Sequence, residues 1–207
     1  MSGETLGTNP GFRLRANYHH INREDEVNFG FWVFLMSDAI IFGLVFATYE
    51  TMTRATAGGP GPKQLYDIGS VAIETGALLM SSFTYGLASL ALKYNSGRRA
   101  VIGWLVVTLL FGLLFLGFEV HDFLTMFAKG GGPDRSGFTS AFFSLVPLHG
   151  LHVTSGCIWM VVLIVQMLRR GIDEDVKLGV QRLALFWHFL DIVWIAIFSL
   201  VYLGGLA

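Results

Sequence analysis

From Gly137 to Leu168 the chain runs for 32 residues without one Asp, Glu, Lys or Arg. A helix rises about 1.5 Å per residue, so roughly 20 apolar residues cross the ~30 Å hydrocarbon core of a bilayer. Lipid also requires every backbone polar group to be satisfied within the segment, which a helix does unaided. Four further stretches meet the same test, at about Phe29–Met52, Ile68–Leu92, Ala100–Phe127 and Leu183–Gly205. The expected fold is therefore all-α, a polytopic membrane protein built as a bundle of five transmembrane helices. Residues 1–28 form a polar N-terminal segment and 29–207 the membrane domain. Short Gly- and Pro-containing loops, such as AGGPGPK at 57–63 and KGGGPDRSG at 129–137, punctuate the helices.

Composition agrees: 14% of residues are charged and the mean hydropathy is +0.58, against about 25% charged in a typical soluble domain. The formal net charge of −1 gives no basic footprint, so no nucleic-acid partner is expected. The single cysteine, Cys157, lies inside an apolar run and excludes both an intrachain disulfide and a thiolate metal cluster. The first 28 residues lack the apolar core and cleavage site of a signal peptide, so the first helix is expected to act as its own insertion signal.

Orientation follows from the basic residues in alternate loops. Arg13, Arg15, Arg23, Lys93, Arg98, Arg99, Arg169, Arg170, Lys177 and Arg182 fall on one side; Arg54, Lys63, Lys129 and Arg135 fall on the other. The larger set places the N-terminus in the cytoplasm and the C-terminus outside.

Ionisable side chains in hydrocarbon cost at least ~2.5 kcal/mol each, so they usually face protein or water. Six stand out: Asp38, Glu74, His149, His152, His188 and Asp191. His149 and His152 are three apart, as are His188 and Asp191, so each pair shares a helix face. The depths of Asp38, His149, His152, His188 and Asp191 allow one polar cluster joining helices four and five and reaching helix one, with Glu74 a separate case. Interhelical hydrogen bonding is the economical reading of such a cluster. The sharper alternative is a bis-histidine haem or metal site, but a lone His-x-x-His without a Glu-x-x-His pattern is a weak signal. No catalytic, cofactor-binding or metal-ligating residue is assigned. Glu74 has no basic partner in any helix, so it is expected as a neutral acid donating one hydrogen bond to a neighbour, with a proton-carrying role as the functional alternative. Glu50, Glu119, His121 and Asp122 read as outer helix-end positions, and the five tryptophans as lipid-interface anchors or packing. Pro147 removes a backbone donor from helix four and should kink it.

Three stretches carry a resemblance. GFWVFLMSDAIIFGLVFATY at 30–49 resembles the first helix of quinol oxidase third subunits. GGGPDRSGFTSAFFSLVPLHGLHVTSG at 130–156 and LALFWHFLDIVWIAIFSLVYL at 183–203 resemble that family's last two helices and the loop before them. The chain is thereby identified as similar to the haem–copper oxidase subunit III family, in the pattern of its bo-type ubiquinol oxidase members, which have five helices rather than seven. The resemblance implies an accessory subunit of a proton-pumping terminal ubiquinol oxidase, without a redox centre of its own. Haem, copper and ubiquinol belong to partner subunits, above all the catalytic haem–copper subunit I, and phospholipid binds between the helices. It carries the family's intramembrane glutamate onto Glu74, its paired histidines onto His149 and His152, and its helix-five polar pair onto His188 and Asp191. Pro147 stands where a small residue is expected.

The alternatives are the equivalent accessory chain of a nitric oxide reductase or cytochrome c oxidase, and a stand-alone membrane transporter. A transporter would favour an internal repeat with paired broken helices, and the sequence has no such repeat.

Overall fold

A computed structural model describes the backbone of residues 10–59, 61, 65, 66, 68–95 and 97–206, and side chains between residues 28 and 205. The first nine residues, Lys63, Ala207 and the side chains of Arg13, Arg15 and Arg23 lie outside the described set. Helix α1 runs Pro10–Met52, α2 Ile68–Lys93, α3 Arg98–Ala128, α4 Gly137–Arg170 and α5 Glu174–Ala196. A π-helical turn, Ile197–Leu203, leads into the last turn, α6 at Gly204–Leu206. Among the described residues there is no strand, and five helices are long and apolar enough to span a membrane. Their spans begin or end within a few residues of expectation, with one exception treated below.

The chain forms two compact units, Met1–Ala39 and Ile40–Ala207. The first contains most of α1, including Trp32 and Asp38, with Ser37 bonded back to the Val33 carbonyl. The second holds the end of α1 and everything after it. Within it α2 packs on α3, α3 on α4, α4 on α5 and α5 back on α2, a closed ring of four helices.

Local sequence explains the ends. Ser136 caps α4 by accepting from the Thr139 N–H at 3.2 Å, while Thr139 accepts from the Ser136 N–H at 3.1 Å. This reciprocal box satisfies two otherwise orphaned donors. Gly171, at φ 90°, closes the helix in a conformation that a side chain would strain. Helix α4 continues on both sides of Pro147.

Helix α5 starts at Glu174, nine residues before the expected Leu183. Its first two turns carry Glu174 and Asp175, which suit the positive end of the helix dipole. Val176, Gly179, Val180 and Leu183 are buried at helical spacing. The charges on the other face hide that period from a hydropathy reading.

Because lipid is as apolar as leucine, close packing and hydrogen bonds rather than the hydrophobic effect hold these helices together. Two bonds fix the α2–α3 hairpin: Ser70 Oγ donates to Asp122 Oδ1, and the Thr84 and Thr108 hydroxyls pair, both at 2.9 Å. Fourteen residues separate the bonds along each helix, so the antiparallel register holds over about 21 Å.

Helices α2 and α5 are pinned by three more. Trp194 Nε1 donates to Thr75 Oγ1 at 3.0 Å, Trp187 Nε1 to Ser81 Oγ at 3.0 Å, and the Tyr85 hydroxyl to the Val180 carbonyl at 2.8 Å. Each such bond contributes about 0.6 kcal/mol on average inside a membrane. Trp187 and Trp194 are therefore core residues rather than interface anchors, whereas Trp104 is exposed.

Between α1 and α2, the Tyr66 hydroxyl pairs with that of Tyr49 at 3.0 Å and its ring lies 4.8 Å from Tyr202. Burial pushes the Tyr66 phenol above its ordinary range, so it stays neutral.

Candidate functional site

Of the six ionisable residues singled out from the sequence, Asp38 belongs to the first unit and the others to the second. Asp38 lies ten residues into the α1 span, within the first unit. The other five separate into three environments.

His149 is fully buried, its ring stacked on Trp194 at 5.4 Å and set edge-on to Phe115 at 5.9 Å and Phe42 at 6.3 Å. Neither ring nitrogen has a hydrogen-bond partner among the described residues. His152 turns back on its own helix, Nδ1 lying 2.7 Å from the Leu148 carbonyl, with Phe42 and Phe186 against its ring. His188 and Asp191 face α2 instead of α4: His188 Nδ1 is 2.9 Å from Ser82 Oγ and 3.4 Å from Asp191 Oδ2. Helix α5 spends its α4-facing positions on Phe186, Trp187 and Trp194, which leaves its polar pair on another side.

Glu74 finds company that the sequence reading did not assign to it. Its carboxyl is hydrogen-bonded to that of Asp122 and lies within electrostatic reach of Glu119. Asp122 Oδ1 already accepts from Ser70, so Glu74 is the natural donor. A bond between two carboxyls needs a proton on one of them. Glu119, read from the sequence as a water-reaching helix end, is only 3% exposed, and Asp122 only 13%. The Glu119 carboxyl sits on the bare backbone of Gly150, where a Cβ would come within 2.7 Å of both oxygens. One oxygen each of Glu74 and Glu119 has no hydrogen-bond partner among the described residues. Tyr202, in the π-helical turn, lies within electrostatic reach of all three acids. The Tyr49 hydroxyl reaches the Val201 carbonyl of the same turn at 3.4 Å.

The result is a carboxyl layer shared by α2 and α3 and backed by α4 and the end of α5. A signal for it was present. Glu74 lies six residues inside the start of α2 and Asp122 six residues before the end of α3, so an antiparallel hairpin brings them level.

Among the described residues, no group of three or more His, Cys, Asp or Glu side chains is placed to hold a metal ion. The histidines also do not converge as axial haem ligands would. Three aromatic rings surround His149, and His188 is committed to Ser82 and Asp191. The layer can hold or pass a proton, since its acids lie close together in the packed helices with the exposed His121 3.6 Å from Asp122 Oδ1; it can also bond helices together.

Residues 14–206 match the family model described as cytochrome c oxidase subunit III. Among curated relatives, the chain is 48% identical over 177 residues to a protein of Pseudomonas aeruginosa named cytochrome bo(3) ubiquinol oxidase subunit 3, covering 86% of this chain and 84% of that one. It is 49% identical over 177 residues to the Pseudomonas putida protein of the same name, covering 85% and 84% respectively. It is 40% identical over 177 residues to the quinol oxidase subunit 3 of Bacillus subtilis, covering 86% of each.

Proposed function

The chain belongs to the cytochrome c oxidase subunit III family, and from that premise we propose that it is the accessory, non-catalytic third subunit of a proton-pumping ubiquinol oxidase in a bacterial respiratory chain. The observation that carries this reading is identity of 48–49% over most of both chains to proteins named for that subunit. Quinol rather than cytochrome c is the electron donor by the same names. Haem, copper and the quinol site belong to partner subunits, chiefly the catalytic one.

The use of the histidines favours a supporting role. His149 fills a packing site among Phe42, Phe115 and Trp194, and His188 hydrogen-bonds to α2. Glu74 serves as a neutral donor to Asp122, a polar bond between neighbouring helices. Phospholipid binding has a candidate place. A groove of about 820 Å³ lined by Gly97, Arg98, Arg99, Ile102, Gly103 and Leu168 sets two arginines, one of them donating to the Leu168 carbonyl, beside an apolar wall, which suits an anionic headgroup and its acyl chain. The N-terminus is cytoplasmic and the C-terminus external, following the distribution of basic residues.

The test is purification of the tagged chain in mild detergent from the membranes of its own organism. A haem-bearing membrane subunit should copurify in fixed ratio, and the preparation should oxidise quinol with oxygen. Copurification with a nitric oxide reductase, or a preparation without haem, would overturn the reading.

A further inference from the structure

Glu74 Oε1 and Glu119 Oε1 sit on side chains only 1% and 3% exposed, and neither atom has a hydrogen-bond partner among the described residues. The two carboxyls lie within electrostatic reach of each other, one on α2 and one on α3. The Glu119 carboxyl is lodged against the bare backbone of Gly150, so it is committed to the interior. Leaving one buried polar atom dry costs about 1–3 kcal/mol. Two on facing helices call for a shared partner.

The chemistry of that partner follows from the atoms. Glu74 donates to Asp122 through its other oxygen, so its Oε1 is a carbonyl oxygen and can only accept. Glu119 Oε1 offers a second acceptor, and the missing partner must bring two donors. The donors nearby are spent: Ser70 Oγ donates to Asp122 Oδ1, and Trp194 Nε1 to Thr75 Oγ1. The sequence has no Lys or Arg between Ile68 and Leu92 or between Ala100 and Ala128. Tyr202 lies within electrostatic reach of all three acids but bonds to neither free oxygen. A metal ion fits poorly, since among the described residues no three His, Cys, Asp or Glu side chains are placed to hold one.

We propose that the carboxyl layer is a hydration site, in which ordered water donates to Glu74 Oε1 and Glu119 Oε1 at once and accepts from the Tyr202 hydroxyl. A buried water makes about three hydrogen bonds, and these groups supply that number. The site belongs to this chain's own interior, whichever complex it joins. Its consequence is a connection to the surface. Asp122 is 13% exposed, and the 74% exposed His121 lies 3.6 Å from it. Water joining Glu74 to Glu119 extends that line of polar groups inward, so Glu119 exchanges its proton with solvent although it is buried. Without water the line ends at Glu74.

The test uses the tagged chain in whatever assembly it leaves the membrane. Cryo-electron microscopy at a resolution where buried water is visible should show a density peak about 2.5–3.0 Å from both free oxygens, the range of an O–H donor. A direct bond from Tyr202 or between Glu74 and Glu119, a metal ion, a lipid tail, or a dry gap in a map that resolves other buried waters would each overturn the proposal. Radiolytic oxidation tests it in solution, because hydroxyl radicals formed from a trapped water attack the ring beside it. Tyr202 should be oxidised although it is 2% exposed. Glu119→Leu, which removes one acceptor, should lose most of that oxidation, and Glu119→Gln should keep it. The 72% exposed Tyr94 should be oxidised alike in all three proteins. Tyr202 left unoxidised in the unsubstituted chain, or oxidised equally in Glu119→Leu, would refute the bridge. The density measurement needs no variant and decides the matter even if Glu119→Leu does not fold.

Discussion

The indole of Trp187 lies on the bare backbone of Gly156, where an added Cβ would come within 3.0 Å of Cζ3. The same ring covers Gly112 on α3, again leaving 3.0 Å for a Cβ, while its N–H reaches Ser81 on α2. One side chain of α5 thus touches the three other helices of the ring. Trp187 is 1% exposed and has no room to withdraw.

Gly156→Ala and Gly112→Ala should therefore destabilise the second unit. Overpacking costs about 1–3 kcal/mol, partly offset by about 1 kcal/mol of helix propensity. Thermal denaturation of the detergent-solubilised protein should shift down by a few degrees. Gly117→Ala, where a Cβ meets nothing within 4 Å, should leave the midpoint unchanged or raise it. Equal effects at all three glycines would refute the packing account.

Expressed alone, the chain should bind no stoichiometric haem, copper or iron. Phe42, Phe115 and Trp194 crowd the His149 ring, and among the described residues no three His, Cys, Asp or Glu side chains are placed to hold a metal ion. Absorbance in the haem region and elemental analysis check this. Bound metal or haem that vanishes in His149→Ala or His188→Ala would contradict it.

Glu74 separates support from proton transfer. Glu74→Gln keeps both shape and a donor toward Asp122, so assembly, oxygen consumption and pumped protons per electron should stay near normal. Glu74→Ala leaves a gap and an unmatched acceptor, costing about 1–3 kcal/mol, and should weaken subunit association or lipid retention. An intact glutamine variant that no longer pumps would make Glu74 a proton carrier instead.

A reporter fused after Ala207 should read as external, and one inserted between α2 and α3, near Asn95, as cytoplasmic. The reverse pattern would show that the basic residues had been counted to the wrong conclusion.

The five spans were legible in the sequence because length, apolarity and backbone satisfaction are properties of one segment in lipid. The spacing of His149 with His152, and of His188 with Asp191, also gave which residues share a face. It could not give how far each helix is rotated about its own axis. That rotation is set by close packing, here by Trp187 seated on Gly112 and Gly156 and by Glu119 seated on Gly150. Rotation in turn decides which polar faces meet. It carries His188 to Ser82 and leaves His149 among aromatic rings. It also turns Glu119 and Asp122 inward to Glu74, although their distance from the helix end suggested water. Depth in the membrane is written along the chain, but azimuth is a relation between helices and exists only once they pack.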